Sequence, residues 1–146
     1  MKKKAIAECS SQKGASAAEF ALILPFLVLL LFGIVELGFI FYNKAVITNA
    51  SREGARVGIT FLKAPRLPYA DINAAVNNYT SSYLITFGAD SGPQIVTTPS
   101  APTEITSGQD VIVDVSYQYD FLLLPNIIPS LSDGLTLRGV TTMRAE

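Results

Sequence analysis

The amino-acid sequence predicts an α+β protein. A long N-terminal transmembrane helix continues into an amphipathic helix, and a short helix and a small antiparallel sheet follow. Three observations carry this expectation. Residues 20–41 read FALILPFLVLLLFGIVELGFIF, 22 residues with one charge, Glu36. Small residues then recur every fourth position at Val46, Ala50, Gly54 and Gly58. Further on, Val111, Val113, Val115, Tyr117 and Tyr119 alternate with Ile112, Asp114, Ser116, Gln118 and Asp120.

The apolar run has the length of a membrane span. At a rise of ~1.5 Å per residue it crosses a hydrocarbon core of ~30 Å. It is too long for a secretory h-region, and no small-residue cleavage site follows it, so it is expected to stay as an anchor. Pro25 lies early in the run, where a membrane helix tolerates it with a mild bend. The flanks set the orientation. Lys2, Lys3, Lys4 and Lys13 stand against Glu8 in residues 1–14, a balance of about +3. That side is expected to remain cytoplasmic and the C-terminal side to face the periplasm. Lys44, Arg52 and Arg56 on the far flank oppose this bias, but the lysines sit on a much shorter tail.

From Asn43 to Thr60 the helix is expected to continue. Ala50, Gly54 and Gly58 form a narrow stripe that lets another element approach closely, either the chain's own sheet or a neighbouring helix. Each glycine costs ~1 kcal/mol relative to alanine, so close packing is the expected compensation. Pro65 and Pro68 end this helix. Ile72, Ala75, Val76, Tyr79 and Tyr83 then keep helical spacing over about 69–82. After Gly88 the period changes. Ile95-Val96 reads as a short strand, 111–119 as a half-exposed strand, and 135–144 as a last strand. The apolar face of that last strand switches near Gly139, which predicts a bulge. Phe121 to Pro129 is unusually apolar for a connection. It is expected either to cover a small core or to meet another subunit or the outer membrane leaflet. The expected domains are a leader, 1–14, a transmembrane and amphipathic helix, 15–62, and a small α+β domain, 63–146.

Composition narrows the function. Residues 15–146 hold seven bases and eleven acids, so no basic footprint for nucleic acid is expected. Cys9 is the only cysteine, and Lys-Lys-Lys-Ala-Ile-Ala-Glu before it is not the h-region of a lipoprotein signal. The chain has no histidine, which removes Ser-His and Cys-His nucleophilic sites and most transition-metal sites. Asp90, Glu104, Asp110, Asp114, Asp120 and Asp133 form no catalytic motif beyond surface acids. No enzyme activity, metal or cofactor is expected.

The junction before the apolar run is the most specific segment. Lys13-Gly14-Ala15-Ser16-Ala17-Ala18-Glu19-Phe20 places a base, a glycine, four small residues, an acid and an aromatic ahead of a membrane helix. This order resembles the prepilin processing site of type IV pilins, which a membrane aspartyl peptidase cuts after the glycine. The resemblance implies a cut between Gly14 and Ala15 and makes Glu19 the fifth residue of the mature chain. Gly14 lets the backbone lie extended and a protease approach closely. A carboxylate heading a membrane helix is costly unless paired. The ammonium created at Ala15 of one subunit is the expected partner of Glu19 on its neighbour, so that Glu19 and Phe20 set the register of assembly. The plainer alternatives are a favourable helix-dipole position for Glu19 and a capping box with Ser16. Glu36 is read either as a snorkelling carboxylate or as an intramembrane contact to a basic group of another subunit or of the assembly platform.

Residues 14–58 as a whole are similar to the TadE-like proteins, minor pilin-like subunits of the tight-adherence (Flp) pilus machinery. The likeness lies in Gly14, Glu19-Phe20, Pro25, Gly33-Ile-Val-Glu36-Leu-Gly38 and Arg52-Glu53-Gly54-Ala55-Arg56. Leu137 to Glu146 is similar to the closing strand of that family. The sister family TadF shares the N-terminal pattern. The resemblance implies a pilin-like fold, prepilin-peptidase processing, an inner-membrane location, and other pilin-like subunits and the pilus assembly platform as partners. The alternative is an unprocessed membrane-anchored binding or scaffold domain.

Overall fold

The computed structural model describes residues 3–60, 68–87, 92–100, 103–122 and 134–145, with side chains from residue 14 onward. Helix α1 (Lys3–Ile59) is followed by helix α2 (Tyr69–Tyr83) and strands β1 (Gln94–Thr98), β2 (Asp110–Tyr119) and β3 (Leu135–Arg144). The chain divides into two compact units, Met1–Leu37 and Gly38–Glu146.

The first unit is α1 up to Leu37, with Pro25 inside the helix. Large apolar side chains from Phe20 to Leu37 are exposed all around it. A helix apolar on every side must meet an apolar solvent or partner. Glu36 departs from this pattern. It is 3 % exposed, while Val35 and Leu37 beside it are each 52 % exposed.

The second unit packs the end of α1 and the whole of α2 on one face of a three-stranded antiparallel sheet, ordered β1-β2-β3. Alternation builds the sheet face. Val111, Val113, Val115, Tyr117 and Tyr119 are buried, and the residues between them are half-exposed. Burial of a Val-size side chain is worth ~1.5–3 kcal/mol, so this one strand supplies much of the drive to fold. The stripe on α1 turns toward this face. A Cβ on Gly54 would lie 2.7 Å from Val76 Cγ2 and 3.3 Å from Val113 Cγ1. On Gly58 it would lie 2.9 Å from Ile72 Cδ1 and 3.2 Å from Val111 Cγ1. Ala50 is fully buried. Of the two packing alternatives, the stripe therefore meets the chain's own sheet and α2. Helix α1 ends as Thr60 Oγ1 donates to the Arg56 carbonyl at 2.9 Å. Pro65 lies outside the described residues.

The expected bulge near Gly139 is absent. Pairing of β2 with β3 runs unbroken from Asp110↔Arg144 to Tyr119↔Leu135. Leu137, Gly139, Thr141 and Met143 all point to the helix side, and Val140 points outward, 49 % exposed. The switch in apolar pattern has another cause. A Cβ on Gly139 would stand 2.8 Å from the Ile47 carbonyl oxygen, so α1 approaches β3 too closely for any side chain there. One step on, the hydroxyls of Ser51 and Thr141 meet at 2.7 Å. The inward positions are thus small or polar because they touch helix backbone and a serine. Gly134, at φ +69, turns the chain into β3.

Asn43 joins α1 to the segment after α2. Its side-chain amide donates to the Ile85 carbonyl at 2.7 Å, and its Oδ1 accepts from the Ile85 N–H at 3.0 Å. A fully buried asparagine thereby replaces a missing strand partner for Ile85.

Candidate processing and assembly site

The Gly14–Phe20 junction lies within α1, and every side chain from Gly14 to Phe20 is exposed. A Cβ on Gly14 would meet nothing within 4 Å, so no neighbouring element among the described residues covers this point. The helix begins at Lys3 and has no acid in its first turn. Glu19 therefore does not sit at a helix N-terminus in the uncut chain, and Ser16 caps no helix start. The dipole and capping-box alternatives fail for this form. The extended backbone at Gly14 fails too, because Gly14 is helical; a peptidase that needs an extended strand must unwind it locally.

After a cut behind Gly14, Ala15 would become the helix start and Glu19 would lie four residues on, ~6 Å along the axis. An acid there is favoured by the helix dipole and by any nearby ammonium. Phe20, the next residue, is 61 % exposed and presents its ring on the helix surface.

Glu36 is buried, at 3 % exposure. Sequence reasoning missed this burial, because no period in the apolar run marks one side as covered.

Among the described residues of the second unit, Arg56 with Glu53 and Arg138 with Asp114 form ion pairs on its surface. Arg56 bonds Glu53 at 2.6 and 3.0 Å across one helical turn, and this hydrogen bonding holds the Glu53 carboxyl below its ordinary value. Arg138 Nε lies 2.8 and 3.0 Å from the two oxygens of Asp114 on the outer sheet face. Asp114, expected to be a solvated acid, is thus a cross-strand partner. Hydrogen bonding to Asp114 raises the Arg138 guanidinium further above its ordinary value. Such exposed pairs contribute little to stability. A concavity of about 340 Å³ is lined by Asn77, Thr80, Ser81, Leu84, Thr86, Gly92 and Pro93. Its described lining offers amides and hydroxyls and no ionisable side chain.

Among the described residues one helix, over Gly14–Ile59, is long and apolar enough to cross a membrane. A helix of this kind carried into a small α+β domain suggests membrane anchoring. Residues 14–56 match the model of the TadE-like protein family, as the sequence resemblance implied. The match begins at Gly14 and ends at Arg56, so it covers the junction, the apolar run and most of the small-residue stripe. It leaves α2 and the sheet outside. No curated protein matches the chain, and no solved structure matches it.

Proposed function

We propose that this chain is a pilin-like subunit of a tight-adherence pilus assembly system, anchored in the inner membrane and cut by a prepilin peptidase between Gly14 and Ala15. The leader is cytoplasmic and the α+β domain periplasmic. The role is structural: the helix associates with those of other pilin-like subunits and with the assembly platform, and Glu19 pairs with the ammonium of a neighbour's Ala15.

The observation that carries this reading is where the TadE-like match begins. It opens on the glycine after which the cut is expected and includes the acid five residues later. The exposed, uncovered surroundings of Gly14 are compatible with access by a protease.

The test is the N-terminal residue and intact mass of protein purified from membranes, with and without a co-expressed prepilin peptidase. The expected product begins at Ala15. A bulky residue in place of Gly14 should block the cut. An uncut chain in cells that process other prepilins overturns the reading in favour of an unprocessed anchored scaffold or binding domain.

A further inference from the structure

The sheet has two outer strands, and their open sides are finished differently. β1 is five residues long and stands between Pro93 and Pro99. Short strands and prolines both close an edge to further pairing. β3 is ten residues long, holds no proline, and pairs with β2 over its whole length. Among the described residues no strand lies on its other side.

Two observations fix which backbone groups β3 presents on that open side. The Ala145 N–H donates to the Gln109 carbonyl at 2.8 Å, and the Ala145 carbonyl accepts from the Gly108 N–H at 2.9 Å. Ala145 thus turns both groups toward the β2 side. Backbone groups alternate between the two sides of a strand, so Met143, Thr141, Gly139, Leu137 and Leu135 do the same. Thr136, Arg138, Val140, Thr142 and Arg144 then face away from β2. The Lys44 ammonium gives the same phase independently, because it reaches the Arg138 carbonyl from α1. Among the described residues this is the one hydrogen bond to that row of backbone groups.

The chemistry of the edge names its occupant. N–H and carbonyl groups repeat along it every two residues, ~6.8 Å, a spacing that an extended chain matches and a helix does not. Thr136, Val140 and Thr142 are exposed and β-branched, which suits pairing across strands. Lys44, Thr48 and Arg52 share one side of α1, and Lys44 places that side at the edge. Lys44 and Arg52 are exposed, and among the described residues neither is in an ion pair. β3 itself carries two arginines and no acid. A chain laid along this edge therefore meets unpaired positive charge. The outer strands of a second copy do not supply the complement, since neither β1 nor β3 contains an acid. We propose that the open side of β3 takes an extended segment of a different protein as a fourth strand, and that this segment carries acidic side chains for Lys44 and Arg52. The strand order becomes β1-β2-β3-guest. The Lys44 ammonium passes from the Arg138 carbonyl to a carboxylate, which is a stronger partner. This surface is separate from the Gly14–Phe20 junction and does not depend on processing there.

The test supplies the guest strand as part of the chain. Two versions of the full chain in detergent micelles carry, after Glu146, a flexible Gly-Ser linker and a segment of about eight residues. One segment alternates Glu with Val, the other Lys with Val. The linker keeps the segment at a local concentration on the order of millimolar. Amide hydrogen exchange is read by nuclear magnetic resonance at Val140 and Thr142 on the open side, and at Thr141 and Met143 on the β2 side. In the parent chain Val140 and Thr142 should exchange freely while Thr141 and Met143 are protected. The Glu segment should slow Val140 and Thr142 by at least about tenfold, and the Lys segment by much less. Lys44→Gln together with Arg52→Gln should erase the difference between the segments. The same segments added as free peptides give the same reading where a fusion disturbs the fold. Slow exchange at Val140 and Thr142 in the parent overturns the proposal, because the chain itself or a second copy then already covers the edge. No slowing with the Glu segment, with Thr141 still protected, overturns it as well. Equal slowing by both segments overturns the acidic partner and with it the proposal.

Discussion

At the scale of residues, Glu19 and Glu36 are two carboxylates on one apolar helix with opposite environments. Glu19 is exposed and Glu36 buried. An exposed acid is available to a partner from outside the chain, which is what pairing between subunits requires. Glu19→Gln keeps size and helix propensity and removes the charge. On the proposed reading, in which a peptidase recognises Gly14 and its small neighbours, the variant should still be cut. Insertion should be no worse, since a membrane helix without a charge costs less. On the proposed pairing, assembly should fail, because a neighbour's buried ammonium would lose its partner at ~3–5 kcal/mol. The check is piliation together with N-terminal analysis of the same cells. Normal piliation with normal processing would reduce Glu19 to a residue without a pairing role. The order Lys13-Gly14…Glu19-Phe20 was legible because each residue type there is unusual in its place. The burial of Glu36 and Asn43 was not, since each depends on contacts that a one-dimensional pattern does not encode.

At the scale of elements, β2 could be read from sequence with hardly an error, and β3 could not. Strict alternation in β2 reflects one face that meets only side chains. In β3 the inward face meets the backbone of α1 at Gly139 and a hydroxyl at Thr141, so its pattern follows shape and hydrogen bonding rather than hydropathy. A break in alternation therefore marked a close approach, where a bulge had been expected. This gives a sharp expectation. Gly139→Ala places a methyl 2.8 Å from a carbonyl oxygen and 2.9 Å from Thr48 Cα. Backbone on both sides cannot step aside as a side chain can. The cost should be ~1–3 kcal/mol, more than the strand preference of alanine returns. Val140→Thr, on the exposed face, should change stability by less than ~0.5 kcal/mol. Denaturant unfolding of the full chain in micelles, followed by near-ultraviolet circular dichroism, measures both. Equal stability for Gly139→Ala and the parent would mean that α1 and β3 are not in contact there.

At the scale of the whole molecule, the α+β architecture followed from three periods: an unbroken apolar run, a four-residue stripe and a two-residue alternation. What they did not reveal is the ring contact of Phe39 in α1 with Phe87 after α2, at 5.2 Å, which no local pattern predicts. The proposed topology makes its own prediction. An alkaline-phosphatase reporter fused after Glu146 should be active, and a reporter that works only in the cytoplasm should be silent at the same point. The reverse result would put the four lysines of the leader on the wrong side.

The pairing of α1 with β3 also fixes a timetable. Ser51 and Thr141 are 90 residues apart, and Lys44 and Arg138 are 94 apart. The helix is made some 90 residues before its strand partner. Until that strand is made, the β3 side of β2 and the face of α1 at Ile47 and Ser51 lack their native cover. Contacts of such long separation form slowly, and exposed strands invite association with other chains. On the proposed topology, export of this protein includes an interval in which a tethered, unfinished domain stands at the membrane surface, where a periplasmic chaperone that holds extended chains would act.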